Sequence, residues 1–247
     1  MKKGIKVSIV GYGEIGKSVE KVYLDYPNEY QVSVKDLVRD DGVEDSHIMH
    51  ICIPYVDESF VDTVSDIVID KSPNIVIVNS TTAVGTTEKI RLRTKTKIAH
   101  SPVRGVHPNL YEGLKTFVKF IGTDDQELSK EISEHYESLN IETERCMNSE
   151  TTELAKILST TYYGVIIAWH GEMKKMCDKY EVDFEKAATE WNRTYNEGYS
   201  VLGKSNVIRP VLYPPPPSIG GHCVVPNVKI LKKEVISKAL ELIMDYE

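Results

Sequence analysis

A doubly wound α/β fold, a mostly parallel sheet followed by a small all-helical domain built on one long helix, is predicted by three features of this 247-residue chain. Apolar runs of strand length alternate with helix-forming stretches over residues 1–148, the order of repeated βαβ units. A turn holding three glycines joins the first run to the first helix. Over residues 149–247 the alternation stops and helical periodicity takes its place.

The opening IKVSIV is β-branched and strand-like, and after the turn Ile15, Val19 and Val22 recur at helical spacing. Further runs read as strands: QVSV (31–34), HIMHICIP (47–54), which closes on Pro54, NIVIVNST (74–81), KIAHSP (97–102) and FVKFIGT (117–123). Several are apolar at both alternating positions, as strands covered on two faces must be. DESFVDTVSDIVIDKSP and GTTEKIRLRT supply crossover helices. Between Asp36 and His47 the chain is too short for a crossover helix and another strand, so a trimmed sheet is expected. In the second domain the proline-free stretch from Ser149 to Val182 opens on Ser/Thr with Glu153 following, the pattern of a capped long helix. DFEKAATEWNRTYNEGY reads as a second helix. After a proline-rich loop at 214–227, KKEVISKALELIMDY reads as a last short one.

With 41% hydrophobic and 27% charged residues the chain has the composition of a water-soluble globular protein. No signal-like segment and no window of about 18 uncharged apolar residues occurs, so a cytoplasmic location with no membrane partner is expected. A net charge of −7 argues against a nucleic-acid partner, because phosphate binding needs clustered Lys and Arg. Cys52, Cys146, Cys177 and Cys223 lie far apart with no C-x-x-C pair, so neither a disulfide framework nor a metal site is expected.

Chemistry enters at GYGEIG. Gly11, Gly13 and Gly16 have G-x-G-x-x-G spacing directly after a strand and at the head of a helix, the context this motif requires. Gly11 permits the tight turn, Gly13 lets backbone approach a pyrophosphate, and Gly16 lets helix pack on strand. With Tyr12, Glu14 and Ile15 they form a cofactor-binding set at a helix start, where free N–H groups favour an anion. Asp36, twenty residues past Gly16, is placed to accept hydrogen bonds from an adenosine ribose, which makes NAD the expected cofactor over NADP. A second motif, PPPPSIGGHCVVPN (214–227), stiffens the chain with prolines and then presents His222 and Cys223 behind two glycines. A thiol so presented is either a buried small hydrophobe or a nucleophile.

Jointly, VSIVGYGEIG, NSTTAVGTT, HSPVRGVHPNLYEGL, TELAKILSTTYYGVIIAWHGEM and PPPPSIGGHCVVPN make the chain resemble the nucleotide-sugar dehydrogenases, the group acting on UDP-glucose, UDP-N-acetylmannosamine and GDP-mannose. The resemblance implies an NAD-linked, two-step oxidation of a primary alcohol to a carboxylate. In it a cysteine captures the aldehyde as a thiohemiacetal, which is oxidised to a thioester and hydrolysed. It places Cys223 on that cysteine, Lys156 on the lysine that stabilises the oxygen during hydride transfer, and Thr81 on the threonine that helps position a catalytic water. Pro54 and Thr81 also fall in the cofactor-binding set. Thr160 stands at the family's asparagine and Asn227 at its aspartate, and both remain candidate catalytic positions. Val103 stands where the family has a glutamate base.

The resemblance further implies a small-molecule substrate, a nucleotide sugar in the family, and a homodimer formed through the long helix at 150–180. Family members carry an additional C-terminal domain that holds the nucleotide, whereas this chain ends twenty residues after Asn227, so a shortened form is expected. Readings of different class stay open. The chain is an NAD-dependent oxidoreductase acting on CH–OH groups with Cys223 and Lys156, or it is a non-catalytic or regulatory NAD-binding homologue whose lost base and aspartate abolish turnover. A two-electron hydroxyacid-type dehydrogenase is the variant of the first.

Overall fold

The computed structural model describes residues 4–43, 45–214, 218–220 and 223–247, so Pro215, Pro216, Pro217, Gly221 and His222 of the proline-rich motif lie outside the described residues. The strands are β1 (Ile5–Val10), β2 (Tyr30–Lys35), β3 (Ile48–Ile51), β4 (Ile75–Val78), β5 (Lys97–His100), β6 (Lys119–Gly122) and β7 (Thr143–Cys146). They form one sheet in the order β2-β1-β3-β4-β5-β6-β7. β1 to β5 are parallel, β6 is antiparallel to β5, and β7 is parallel to β6.

Parallel strands need cover on both faces. The helices that provide it are α1 (Glu14–Leu24), α2 (Ser59–Lys71), α3 (Thr86–Thr94), α4 (Leu110–Thr116) and α5 (Gln126–Ser138). On one face Val19 and Val22 of α1, Leu110 and Leu114 of α4, and Leu128 and Ile132 of α5 close over Val7, Ile9 and Ile77. On the other, Phe60, Val61 and Val64 of α2 and Ile90 of α3 close over Met49, Ile51, Val76 and Val78. The doubly wound α/β expectation holds. Among the described residues no helix lies between β2 and β3, which leaves β2 as a sheet edge and trims the sheet there. Its opposite edge is β7, whose TERC reads as polar because half of an edge strand faces water. α5 escapes sequence reading for a similar reason, since only the stripe Leu128, Ile132 and Tyr136 is buried in an otherwise polar segment.

The chain divides into two compact units, Met1–Lys156 and Ile157–Glu247. The division falls inside α6 (Ser149–Lys179), the long helix expected from the sequence. The second unit holds the rest of α6, a π-helical turn (Glu185–Glu190) that runs into α7 (Trp191–Val201), and then α8 (Val224–Lys232) and α9 (Lys238–Met244). The C-terminal expectation is corrected here: KKEVISKALELIMDY is not one helix. α8 ends at Lys232, and α9 starts afresh behind Ser237, whose side chain accepts from Ala239 N. Residues 224–227, read as loop, form the first turn of α8. Among the described residues no helix is long and apolar enough to cross a membrane.

One polar thread runs through the apolar interior of the first unit. Lys119 Nζ donates to Asn79 Oδ1 (3.2 Å) and Ser101 O (2.5 Å), Asn79 Nδ2 faces His50 Nδ1 (3.0 Å), and Tyr23 OH lies 2.6 Å from His50 Nε2 and 2.7 Å from His135 Nε2. Because the lysine donates, the Asn79 oxygen must face it, so the amide nitrogen donates to His50 Nδ1 and His50 Nε2 carries the hydrogen offered to Tyr23. Burial pushes Lys119 down to about 7 and His135 down to about 4. A base with a depressed folded pKa holds fewer protons folded than unfolded, so its contribution to stability grows with pH between the two values. For Lys119 that window runs from about 7 to 10.5, and for His135 from about 4 to 6.5. Unfolding free energy measured in urea is therefore predicted to rise from pH 7 to pH 9, by up to about 1.4 kcal/mol per pH unit, and Lys119→Met should flatten the rise. A wild-type stability that is level or falling over this range contradicts the assignment.

Candidate active site

Since β1 to β5 are parallel, their C-terminal ends share one edge of the sheet, and the predicted cofactor residues gather there. At Gly11 φ is +95°, and a Cβ would lie 2.8 Å from the Cys52 backbone. At Gly16 a Cβ would lie 2.0 Å from Gly11 O, so neither position admits a side chain. Gly13 is different: a Cβ there meets nothing within 4 Å. The turn is thus a cradle that a side chain would fill and a pyrophosphate can approach, with the amides of the first turn of α1 as donors.

Asp36, just past β2, is tied to this turn. Its Oδ2 accepts from Tyr12 N (2.7 Å) and its Oδ1 from Val38 N (3.3 Å). The Tyr12 hydroxyl donates to Glu20 (2.5 Å), and the Arg39 guanidinium lies over the Tyr12 ring, 4.8 Å from its centre. Arg39 pairs in turn with Glu20 (2.9 Å) and Asp41 (2.7 Å). Glu14 and Ile15 open α1, and the Glu14 carboxylate contacts His107 from the segment between β5 and α4.

Farther along the edge, Ser80 Oγ donates to Ile53 O (2.5 Å), which brings the segment of half-buried Thr81 to that of exposed Pro54. Glu153, fully buried in the first turns of α6, reaches the start of α3. Its Oε1 accepts from Thr87 N (2.8 Å), Thr87 Oγ1 (2.7 Å) and Thr82 Oγ1 (3.4 Å), and its Oε2 from Gly85 N (2.6 Å). Burial raises its carboxyl pKa against the pull of these donors. The capping pattern read around Glu153 is corrected accordingly. Asn148 Oδ1 caps α6, accepting from Thr151 N (3.0 Å) and Oγ1 (2.6 Å), while Glu153 caps α3. A signal for this was present: α3 begins behind Gly85, which has no side chain to cap it.

Buried His100, unassigned from sequence, completes the joint by hydrogen bonding Thr152 Oγ1 through Nδ1 (2.8 Å) and Ser80 O through Nε2 (3.0 Å). Burial takes it down to about 3, so it is a neutral strut at ordinary pH. Lys156, half-buried and three residues after Glu153 on α6, lies near enough for its positive charge to act on both His100 and Lys119. Val103 is buried against the core, its amide donating to Asn79 O (3.3 Å).

The second unit gathers Thr160, Cys223 and Asn227. α8 packs close on α6 because Gly164 has no side chain: a Cβ there would lie 2.5 Å from a Val224 methyl. Asn227 Nδ2 donates to Thr160 Oγ1 (2.7 Å), and Asn227 N donates to Cys223 O (3.2 Å). Cys223 is half-buried at the N-cap position of α8, not within a free loop. Ile219, ahead of it, is anchored by its amide to Tyr246 O (2.5 Å).

The strand order and the glycine turn define a Rossmann-type dinucleotide-binding fold. No family model matches the chain. In sequence it is 28% identical over 159 residues to a UDP-N-acetyl-D-mannosamine dehydrogenase of Methanococcus maripaludis, covering 62% of this chain and 34% of that one. It is 25% identical over 155 residues to the protein of the same name from Methanocaldococcus jannaschii, covering 61% and 33%. The chain thus matches about a third of the length of these curated relatives. Among solved structures, UDP-D-ManNAc dehydrogenase from Pyrococcus horikoshii shares the fold with a TM-score of 0.80 at 18% identity, over 98% of this chain and 68% of that one. The 3-hydroxyisobutyrate dehydrogenase of Mycobacterium tuberculosis does so at 0.71 and 12% identity, over 98% and 92%. The resemblance to nucleotide-sugar dehydrogenases read from the motifs is borne out by these relatives.

Proposed function

We propose that this chain is an NAD-linked dehydrogenase whose substrate is a small alcohol or aldehyde of the nucleotide-sugar class. The observation that carries the cofactor half is the open space over Gly13, set between two glycines that admit no side chain, with Asp36 hydrogen-bonded to the same turn. When bound, NAD supplies the hydride acceptor. The turn and the first amides of α1 hold its pyrophosphate, and Asp36 takes the ribose hydroxyls. Arg39 is already paired with Glu20 and Asp41, so the 2′-phosphate of NADP would meet the Asp36 carboxylate without a committed counter-charge. Gly13 has φ −71° and ψ −161°, which any residue adopts, so Gly13→Val, which gives up a favoured N-cap at a cost of about 1 kcal/mol, is predicted to stay folded and lose NAD binding by calorimetry. In the wild type NAD(H) is predicted to bind more tightly than NADP(H). Equal or tighter NADPH binding would remove Asp36 from its role.

For the chemistry, Lys156 offers the cation that a developing alkoxide needs, and Cys223 the nucleophile that would capture an aldehyde. The hydrolytic half is impaired. Val103 is an apolar core residue, and Asn227 and Thr160 form a neutral pair, so none of them takes a proton from water. General-base assistance is worth about 10²- to 10⁴-fold in rate, enough to change the limiting step. The same observation favours the second reading, a non-catalytic NAD-binding homologue. The enzyme reading predicts one NADH per substrate, or a burst with a covalent adduct on Cys223 seen by mass spectrometry and abolished in Cys223→Ser. Steady formation of two NADH and one carboxylate per substrate contradicts the impairment, and absence of any NADH favours the second reading.

A homodimer through residues 150–180 belongs to the same proposal. Leu158, Tyr162, Trp169 and Met176 recur along one face of α6 and are 48%, 67%, 47% and 47% exposed. Such a stripe on a charged helix is an interface signature. Light scattering at micromolar concentration should give about twice 27.9 kDa, and a clean monomer mass refutes the dimer.

A further inference from the structure

Arg39 stands beside the residue that would meet the ribose, and its guanidinium is already committed. Asp36 and Arg39 share one short loop after β2, in which Asp36 N donates to Arg39 O (2.7 Å). Tyr12 of the glycine turn ties their side chains together. Its amide donates to Asp36 Oδ2 (2.7 Å), and its ring carries the Arg39 guanidinium 4.8 Å from the ring centre. An arginine so close to a ribose-binding carboxylate is the group that could accommodate a 2′-phosphate. Here two acids hold it instead. Asp41 takes it bidentately, from Nε to Oδ1 (3.0 Å) and from Nη2 to Oδ2 (2.7 Å), and Nη1 pairs with Glu20 Oε1 (2.9 Å). Both acids are themselves fixed. Asp41 Oδ2 also accepts from Val34 N of β2 (3.0 Å), and the Glu20 side chain, only 12% exposed, accepts from the Tyr12 hydroxyl on its other oxygen (2.5 Å). One bidentate acid would satisfy a guanidinium at this sheet edge; the second reaches it from α1 and fixes its remaining nitrogen. Of the nearby cations, Lys35 pairs with Asp40 (3.0 Å), Lys21 lies over the Tyr111 ring (3.9 Å), and Lys17 lies 5.5 Å from the centre of the Tyr12 ring.

We propose that Glu20 and Asp41 are positioning residues that set the cofactor preference: they pin Arg39 over Tyr12 and so withhold from a 2′-phosphate the guanidinium of the loop that carries Asp36. This deepens the dinucleotide reading above and rests on it. Two carboxylates against one guanidinium leave the cluster net negative even before Asp36 is counted, and a 2′-phosphate would meet that excess. To gain a cation, NADP must break an ion pair on Arg39. NAD has no group that asks for one and loses nothing by the arrangement. Discrimination of this kind is built from repulsion and a withheld partner, and it acts through a third residue.

The test is calorimetric titration of the whole chain with NAD and with NADP, in the wild type, Glu20→Gln, Asp41→Asn, the double variant, and the double variant with Arg39→Met added. The two amide replacements keep side-chain size and an oxygen acceptor while removing the charge. The ratio of NADP to NAD affinity should rise about tenfold in the double variant, the low end for a charge-assisted hydrogen bond gained at a partly exposed site, and fall back when Arg39 is removed. Asp40→Asn removes a neighbouring acid that pairs with Lys35, and should leave the ratio where it is, which separates release of Arg39 from mere loss of negative charge. A merely structural bracing of the β2 edge would move the thermal midpoint and not this ratio. Circular dichroism reports folding, and if the double variant does not fold, Asp41→Asn carries the test with a smaller rise. An unchanged ratio in the folded variants, a rise that survives Arg39→Met, an equal rise in Asp40→Asn, or a wild type that binds NADP as tightly as NAD overturns the proposal. No binding of either cofactor by the wild type overturns the dinucleotide reading and the proposal with it.

Discussion

The Glu153 carboxylate is the interaction on which the candidate site of the first unit most depends. It is fully buried, which is costly for an ionisable group, and it accepts from Gly85 N, Thr87 N and the hydroxyls of Thr82 and Thr87. Those donors have little else to turn to. α3 begins behind a glycine in the left-handed region at φ 83°, with no side chain able to cap its first turn. A buried acid without donors and a helix start without a cap are each unfavourable. Joined, they satisfy one another and fix the position of the loop after β4 relative to the start of α6. Thr81 lies on that loop and Lys156 on that helix, so a residue that touches no substrate decides where two candidate site residues stand. His100, held neutral by burial and bonded to Thr152 and Ser80, braces the same joint from β5.

The glycine turn shows the complementary constraint, an arrangement made by what is missing. Gly16 must lack a side chain for α1 to lie against Gly11 O, and Gly11 must lack one for the turn to pass the end of β3. These are packing requirements of the fold with or without a ligand. Gly13 has neither excuse: its backbone angles are ordinary and the space around its Cβ position is open. Glycine is a favoured residue at this N-cap, but neither its backbone angles nor a neighbouring atom requires the side chain to be absent. The position makes sense as room kept for another molecule, which is why it separates a dinucleotide site from a tight βα turn.

Much of the first unit was legible in sequence because β3 and β4 are apolar on both faces and so announce themselves as covered strands, while β1, β2, β5 and β6 are short apolar-rich runs bounded by turn or polar residues. β7 and α5 were not, since an edge strand and a half-exposed helix each bury one narrow stripe and read as polar. The glycine turn and Asp36 could be assigned because their spacing is local. Glu153 could not, since its partners lie 66 to 71 residues away in sequence. A local capping pattern was the natural reading, and Asn148 takes that role. In the second unit the long helix was plain, whereas the break between α8 and α9 was hidden. KKEVISKALELIMDY keeps helical periodicity through a turn that only Ser237, as a cap, betrays.

The neutral pair Asn227–Thr160 bears on what Cys223 experiences. Set against the aspartate and asparagine that the resemblance leads one to expect, this pair removes one negative charge from the turn of helix that follows the thiol. Asn227 still donates its amide to Cys223 O and its side chain to Thr160, so the backbone around the cysteine keeps its support while the local charge changes. A carboxylate there would add a charge and a proton acceptor beside the cysteine, and the neutral Asn227–Thr160 pair supplies neither. The two polar side chains thus pin the start of α8 to α6 as a neutral hydrogen-bonded pair, and the proposed capture of an aldehyde by Cys223 would proceed beside uncharged neighbours.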